Sequence, residues 1–264
     1  MMRLGTIGNV WRTVKEIDVQ AIREEAEQPL QIVLVGDDEL RAPLARLLRD
    51  GMGTYRYPAL GPDPLQELWL PLARERQGEL SRADLLILVL SAQRPLRDDE
   101  YMAYEKLIMV DAPLLVVVSG GFQLPLASPG TPAPDWSGQR VVYLDRADGS
   151  LDRLSEAIVE LLPDDRRLAA ARRLAGLRPV LARMVVGEIS RSNAMYALTS
   201  GIPQLVPILN IPLVAADMIV LTKNQALMVY RLALAMGAPA DFTAQMQEIM
   251  PVIGGGLPVA AAGA

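Results

Sequence analysis

The sequence predicts an α/β protein with a parallel sheet, followed by a second region that is all-α and apolar. Three observations carry this. Runs of strand length, mostly apolar and β-branched (Gln31–Val35, Leu85–Ser91, Leu114–Ser119, Arg140–Leu144), alternate with segments of helical periodicity, as in sheets buried on both faces. The first run ends on Gly36, and Leu40, Leu44, Leu47 and Leu48 then recur on one helical face. Beyond residue 162 no run reads as a strand. The expected organisation is an amphipathic helix in 1–29, an α/β domain in 30–162 and a helical, apolar domain in 163–264.

Residues 8–27 place Val10, Trp11, Val14, Ile17 and Ile22 at roughly helical spacing between charged residues. Acid and base are balanced on the polar face, which suits packing against protein better than binding an anionic membrane. After the first strand and helix, Asp50–Gly53 is a turn, Thr54–Tyr57 a short second strand, and Tyr57–Leu65 a loop rich in Pro and Gly. A helix is expected over Leu65–Gln77, interrupted near Pro71. Asp98 or Asp99 is placed to cap a helix running through Met109, Gly120–Gly138 is a loop, and Ser150 or Leu151 opens a helix to Leu162.

In the C-terminal region, Pro163-Asp164-Asp165 begins a helix to about Leu177, and a second runs from Pro179 to about Thr199. Prolines 203, 207 and 212 punctuate the next stretch. A long helix follows from Leu213 to Met236 with Gly237 in the C′ position, and Asp241 caps a short last helix. The uncharged, glycine-rich tail from Pro251 reads as a frayed end or as a chain cut before further apolar segments.

Composition narrows the chemistry. The chain of 264 residues has no Cys and no His, which excludes disulfides, thiolate and histidine metal sites, and Ser-His-Asp or Cys-His catalysis. Residues 1–162 hold 17 Lys+Arg against 25 Asp+Glu, a net of −8, and residues 163–264 hold 9 against 6, a net of +3. The acidic part does not suit nucleic acid.

Strand, glycine, loop and helix is the layout of the phosphate loop G-x-x-x-x-G-K-[ST]. Counted from Gly36, the positions for Gly, Lys and the hydroxyl hold Arg41, Ala42 and Pro43. Asp37, Asp38 and Glu39 stand where backbone amides would cradle phosphate. These acids either ligate a hard cation together with Asp98 or Asp99, or occupy the first helical turn, where the dipole favours them. Gly36 marks a ligand crevice or simply a turn, and Ser119-Gly120-Gly121 an anion nest or a strand-to-loop turn.

The order of segments over 31–162 resembles the G domain of Era-like bacterial GTPases. The helical part resembles the apolar domain of unknown function that follows such G domains in membrane-associated bacterial proteins. Leu168–Arg178, Gly201–Pro212 and Asp217–Gly237 carry that second likeness, with Leu221, Thr222, Gln225 and Met228 at the positions of an LT-x-x-Q-x-x-M segment. The resemblance implies where nucleotide motifs would fall, and they are degenerate. D-x-x-G falls at Pro58–Gly61 and keeps only Gly61. N-K-x-D falls at Ser119, Gly120, Gly121 and Phe122, and the last backbone motif at Leu144-Asp145. It thus implies a P-loop-like fold without phosphoryl transfer: a pseudo-GTPase with no catalytic residue, metal or cofactor, acting as a scaffold for a protein partner such as a related functional GTPase or a membrane complex. Two other readings stay open: an atypical GTPase using Arg41 in place of the lysine, and a soluble structural subunit assembling through its helical domain.

Seven arginines lie between 166 and 191, and Ser192–Ala216 then contains no charged residue. Basic residues before an uncharged run resemble a cytoplasmic membrane flank. On that reading Arg172, Arg173, Arg178, Arg183, Arg191, Ile202, Leu205, Ile208, Leu209, Ile211 and Leu213 contact membrane or partner, at the cytoplasmic side of the inner membrane. Three prolines disfavour a straight span. Asp217, Lys223 and Arg231 suit the alternative, a soluble helical bundle.

Overall fold

The structure, a computed structural model, describes residues 19–144, 150–201, 224–241 and Gln245. The chain divides into two compact units, Glu25–Leu181 and Met1–Glu24 with Ala182–Ala264. In chain order the named elements are α1 (Val19–Glu27), β1 (Ile32–Gly36), α2 (Asp38–Asp50), β2 (Leu65–Leu68), α3 (Gln77–Leu80), β3 (Leu85–Ser91), α4 (Asp98–Leu107), β4 (Leu114–Ser119), β5 (Arg140–Leu144), α5 (Ser150–Leu161), α6 (Asp164–Arg173) and α7 (Arg178–Gly201). A further helix, α8, covers 224–235.

The larger unit is built on a five-stranded, wholly parallel sheet of order β2-β1-β3-β4-β5. Its register sets Ile32 opposite both Leu65 and Leu85, and Leu86 opposite Leu114. Strands β1, β3 and β4 are buried along almost their whole length, because parallel crossovers put helices on both faces. On one face Val33, Val35, Leu86, Leu88, Val116 and Val118 pack with Ala103, Tyr104 and Leu107 of α4. Against the sheet also lie α2, beside β1, β2 and β3, and α5, beside β4 and β5. Each fully buried Leu, Ile or Val contributes roughly 1.5–3 kcal/mol relative to exposure. The chain thus builds its core from aliphatics, with only two Phe in the whole sequence.

Strands β3, β4 and β5 stand where the sequence places them. The second strand does not. Thr54–Tyr57 is irregular, and the edge strand is Leu65–Leu68, inside the segment expected to be helical. The pattern Leu-Gln-Glu-Leu buries its two leucines and leaves the middle pair half-buried; four residues of this kind fit one turn of amphipathic helix as well as an edge strand. The expected helix reduces to a 3₁₀ turn, Arg74–Arg76, and the four-residue α3. Helix α4 begins one residue earlier than a cap at Asp98 would give, with Arg97 in the N-cap position. The Glu100 carboxylate reaches back to accept the Arg97 amide at 2.9 Å, the reciprocal half of a capping box.

The sheet-containing unit extends to Leu181. Helix α6, the 3₁₀ turn Ala175–Leu177 and the first turn of α7 pack with the sheet-containing unit, burying Leu168, Leu174 and Leu177. In the second unit the described residues lie largely in helices. Asn224 Nδ2 donates to Asn193 Oδ1 at 2.8 Å, tying α8 to α7. Helix α8 ends as its glycine predicts: Gly237 has φ 86°. Its amide donates to the Leu234 carbonyl and that of Ala238 to the Ala233 carbonyl, the paired bonds of a Schellman motif. No helix among the described residues is long and apolar enough to cross a membrane. The leading segment 8–18 and the tail from 251 lie outside the described residues, as does the proline-rich stretch from 202.

Candidate functional site at the carboxyl edge of the sheet

In doubly wound sheets ligands bind beyond the carboxyl ends of the strands, where the strand order reverses. Here that point is the edge of β1 and β3. A phosphate loop wraps its ligand with a run of backbone amides. This chain leaves no such run: β1 ends at Gly36, α2 begins at Asp38, and Asp37 alone connects them. Asp37 is the N-cap residue of α2 with extended backbone, yet its side chain makes no capping bond. It is turned instead to two arginines from the loop after β3, Arg94 at 2.8 Å and Arg97. Arg94 also grips Glu100, which is buried, with a 2.7 Å bond to each carboxylate oxygen. The hydrogen bond to Glu100 leads in holding the Arg94 guanidinium above its ordinary range. For Arg97 burial works downward, and Asp37 and Glu100 more than offset it. Asp38 and Glu39 occupy the first turn of α2, as the dipole reading of these acids expects. No group of acids suited to a metal ion occurs among the described residues.

Arg41, in the position of the phosphate loop's second glycine, is turned to the carboxyl ends of β1 and β2. It is 1% exposed. Its guanidinium donates to the carbonyls of Gly36 (3.1 Å) and Leu68 (3.2 Å), to Glu67 (3.0 Å) and to Asp38 (2.6 Å), under the ring of Trp69. Burial raises the Glu67 carboxyl, but hydrogen bonds from Arg49 and Arg41 outweigh it and hold the group below its ordinary value. Ala42 is half-buried and Pro43 exposed on the same helix.

Gly36 lies so close to β3 that a Cβ there would stand 2.9 Å from the Val89 carbonyl oxygen. Gly61 is placed otherwise than expected. With β2 at Leu65–Leu68, Pro58–Gly61 precedes a strand instead of following one, and the residues after the carboxyl end of β2 are Trp69–Leu72. Gly61 packs on Arg173.

Ser119, Gly120 and Phe122 do follow β4 at this edge. Phe122 is 61% exposed, and the Gly120 amide donates to the Leu144 carbonyl at 3.1 Å. Asp145 lies outside the described residues. Ser119 and Gly120 share with Pro43 the lining of a cavity of about 410 Å³. One wall is Leu40, Pro43, Leu44 and Leu47 of α2, and the other is the ends of β3, β4 and β5 with Gln93 and with Leu151 of α5. Sequence reasoning singled out neither Gln93 nor the Asp37–Arg94–Glu100 chain; the signal available was two arginines three apart directly after a strand.

Three of the expected contact arginines are buried. Arg178, 0% exposed, donates to the main-chain carbonyls of Tyr57 (2.8 Å), Pro58 (3.0 Å), Ala171 (3.2 Å) and Arg172 (3.4 Å), and stacks on Tyr55. Arg173 donates to the Glu27 carbonyl at 3.1 Å. Burial lowers both guanidinium groups from their ordinary range. Together with buried Arg172, they are taken out of the exposed basic flank that the sequence suggests; a guanidinium donates as well to carbonyls as to headgroups. Arg183 and Arg191 are exposed on α7. Ile202, Leu205, Ile208, Leu209, Ile211 and Leu213 lie outside the described residues.

The fold is a parallel-sheet α/β architecture compatible with a P-loop-like fold, with Asp37 paired to Arg94 and Arg97 at this edge. The chain matches no model of a known protein family, and no curated protein matches it.

Proposed function

We propose that this protein is a non-catalytic pseudo-GTPase, a G-domain-like frame used as a binding surface instead of a phosphoryl-transfer site. The observation that carries the reading is the single-residue connection at Asp37, with Arg94 and Arg97 on its carboxylate. Phosphoryl transfer rests on positioning and on cations held at the phosphates; here Arg94 and Arg97 face carboxylates of the same chain. Arg41, proposed to replace the lysine, is committed to four acceptors within the protein, which weighs against the atypical-GTPase reading. The partner is a protein, a related functional GTPase or a membrane complex at the cytoplasmic face, with the helical unit as the attachment. Calorimetry of the full chain with GTP and GDP in Mg²⁺ is expected to give no saturable binding at millimolar nucleotide. Micromolar, Mg²⁺-dependent binding overturns the proposal.

Burial of Arg172, Arg173 and Arg178 favours one refinement: attachment through protein contacts more than through a basic membrane flank. Co-sedimentation with anionic vesicles then leaves the protein in the supernatant, whereas salt-sensitive pelleting restores the membrane reading.

A further inference from the structure

The cavity at the carboxyl edge has a chemistry of its own. Its α2 wall is aliphatic, its strand-end wall carries a hydroxyl and a carboxamide, and no charged residue lines it among those described. Two of its polar groups are unspent: no other described residue engages the Ser119 hydroxyl or the Gln93 carboxamide. Gln93 is set in place by its own amide bond to Ser91 Oγ at 3.2 Å and by lying across Gly120, where a Cβ would come within 3.0 Å of Gln93 Nε2. At about 410 Å³ the space is within the range of small-molecule sites, which pair an apolar lining with a few placed polar groups.

We propose that this cavity binds an uncharged small molecule with an apolar body and an amide-type edge. The aliphatic wall of Leu40, Leu44 and Leu47 would take the body, and the Gln93 carboxamide and Ser119 hydroxyl would pair with one donor and one acceptor on the ligand. A carboxylate or phosphate there would lose water with no cation among the described lining residues to meet it, which is costly. The inference rests on the reading of this edge as one that takes no nucleotide, and extends it to what the edge can take.

The test uses the full chain with two probes of one shape, 2-naphthamide and 2-naphthoate, in ligand-observed NMR titrations. Saturable binding of the amide is expected, with the carboxylate at least roughly tenfold weaker, because a desolvated unpaired charge or hydrogen-bonding group costs a kcal/mol or more. Gln93→Ala with Ser119→Ala should weaken the amide by about tenfold while the circular dichroism spectrum is unchanged. Equal binding of the two probes, unaltered binding by the double variant, or no saturable binding of the amide overturns the inference. A parallel titration with GDP and Mg²⁺ separates the two readings. Binding of GDP sinks the nucleotide-free reading, whereas silence of both GDP and amide sinks only this one.

Discussion

Arg94 holds Glu100 through both arms of its guanidinium, and the same Arg94 Nη2 reaches Asp37 across the edge of the sheet. One side chain thereby joins the N-termini of α2 and α4. Glu100 is 1% exposed in its side chain while Arg94 is 31% exposed, so the two partners are not equivalent. Removing the arginine strands a buried carboxylate, whereas removing Asp37 leaves two cations with access to water.

Arg94→Ala should therefore destabilise the protein by about 3 kcal/mol, the size of effect seen when a buried pair loses one partner. Asp37→Ala should cost only about 1 kcal/mol. Urea titrations of both variants give the comparison. The double variant Arg94→Ala with Glu100→Gln is expected to recover part of the loss, since it leaves no unpaired buried charge. Equal costs for Arg94→Ala and Asp37→Ala would refute the asymmetry.

Arg41 and Glu67 yield a pH-dependent prediction. The Glu67 carboxyl lies below its ordinary 4.5 in the fold, so the folded state holds it ionised more strongly than the unfolded chain does. A depressed acid stabilises fully above the unfolded value and progressively less as pH falls through the folded value. Wild-type stability should thus decline below about pH 4.5, and Glu67→Gln should flatten that part of the curve while lowering stability at neutral pH. Thermal melts across an acid series check both. Arg41→Lys should not rescue Arg41→Ala, because one ammonium cannot serve four acceptors spread around a planar fork.

Arg178 stitches the irregular stretch at Tyr57-Pro58 to the end of α6. Arg178→Met keeps the apolar stem but drops the donors, leaving carbonyls that lose their partner. We expect a loss of roughly 2–3 kcal/mol and faster proteolytic cleavage around residues 52–63. If cleavage there is unchanged while stability falls, the stitch is not what holds that stretch.

Gly36→Ala should be costly for a geometric reason: the added methyl would meet the Val89 backbone oxygen at 2.9 Å at the end of the β1–β3 ladder. A loss of about 2 kcal/mol is expected, typical of overpacking. Gly78→Ala, where nothing lies within 4 Å, should be neutral or stabilising and serves as the control in the same denaturation series.

What the sequence disclosed follows from where periodicity is unambiguous. β3 and β4 are unbroken apolar runs of six and five residues, each closed by a serine, too short for a helix and too apolar for a loop, so their bounds could be read directly. The Gly237 end of α8 was legible because the left-handed position it fills favours glycine. β2 was hidden because a four-residue edge strand with polar middle residues imitates a helix turn. The site was legible as a set of missing groups. What fills it was not, because Asp37, Arg94 and Glu100 meet only when β1 and β3 are paired, and Arg178 reads as a surface cation until its carbonyl acceptors are assembled around it.

The connection through Asp37 has a bearing on how such a protein would be controlled. Molecular timers of the nucleotide-dependent kind need a stretch of chain that takes two shapes, each favoured by a different ligand state. A junction one residue long, fastened by Arg94 and Arg97, has no slack for a second shape at that point. The occupancy of this edge then follows the abundance of its partner by mass action, and timing must be imposed by the partner's supply.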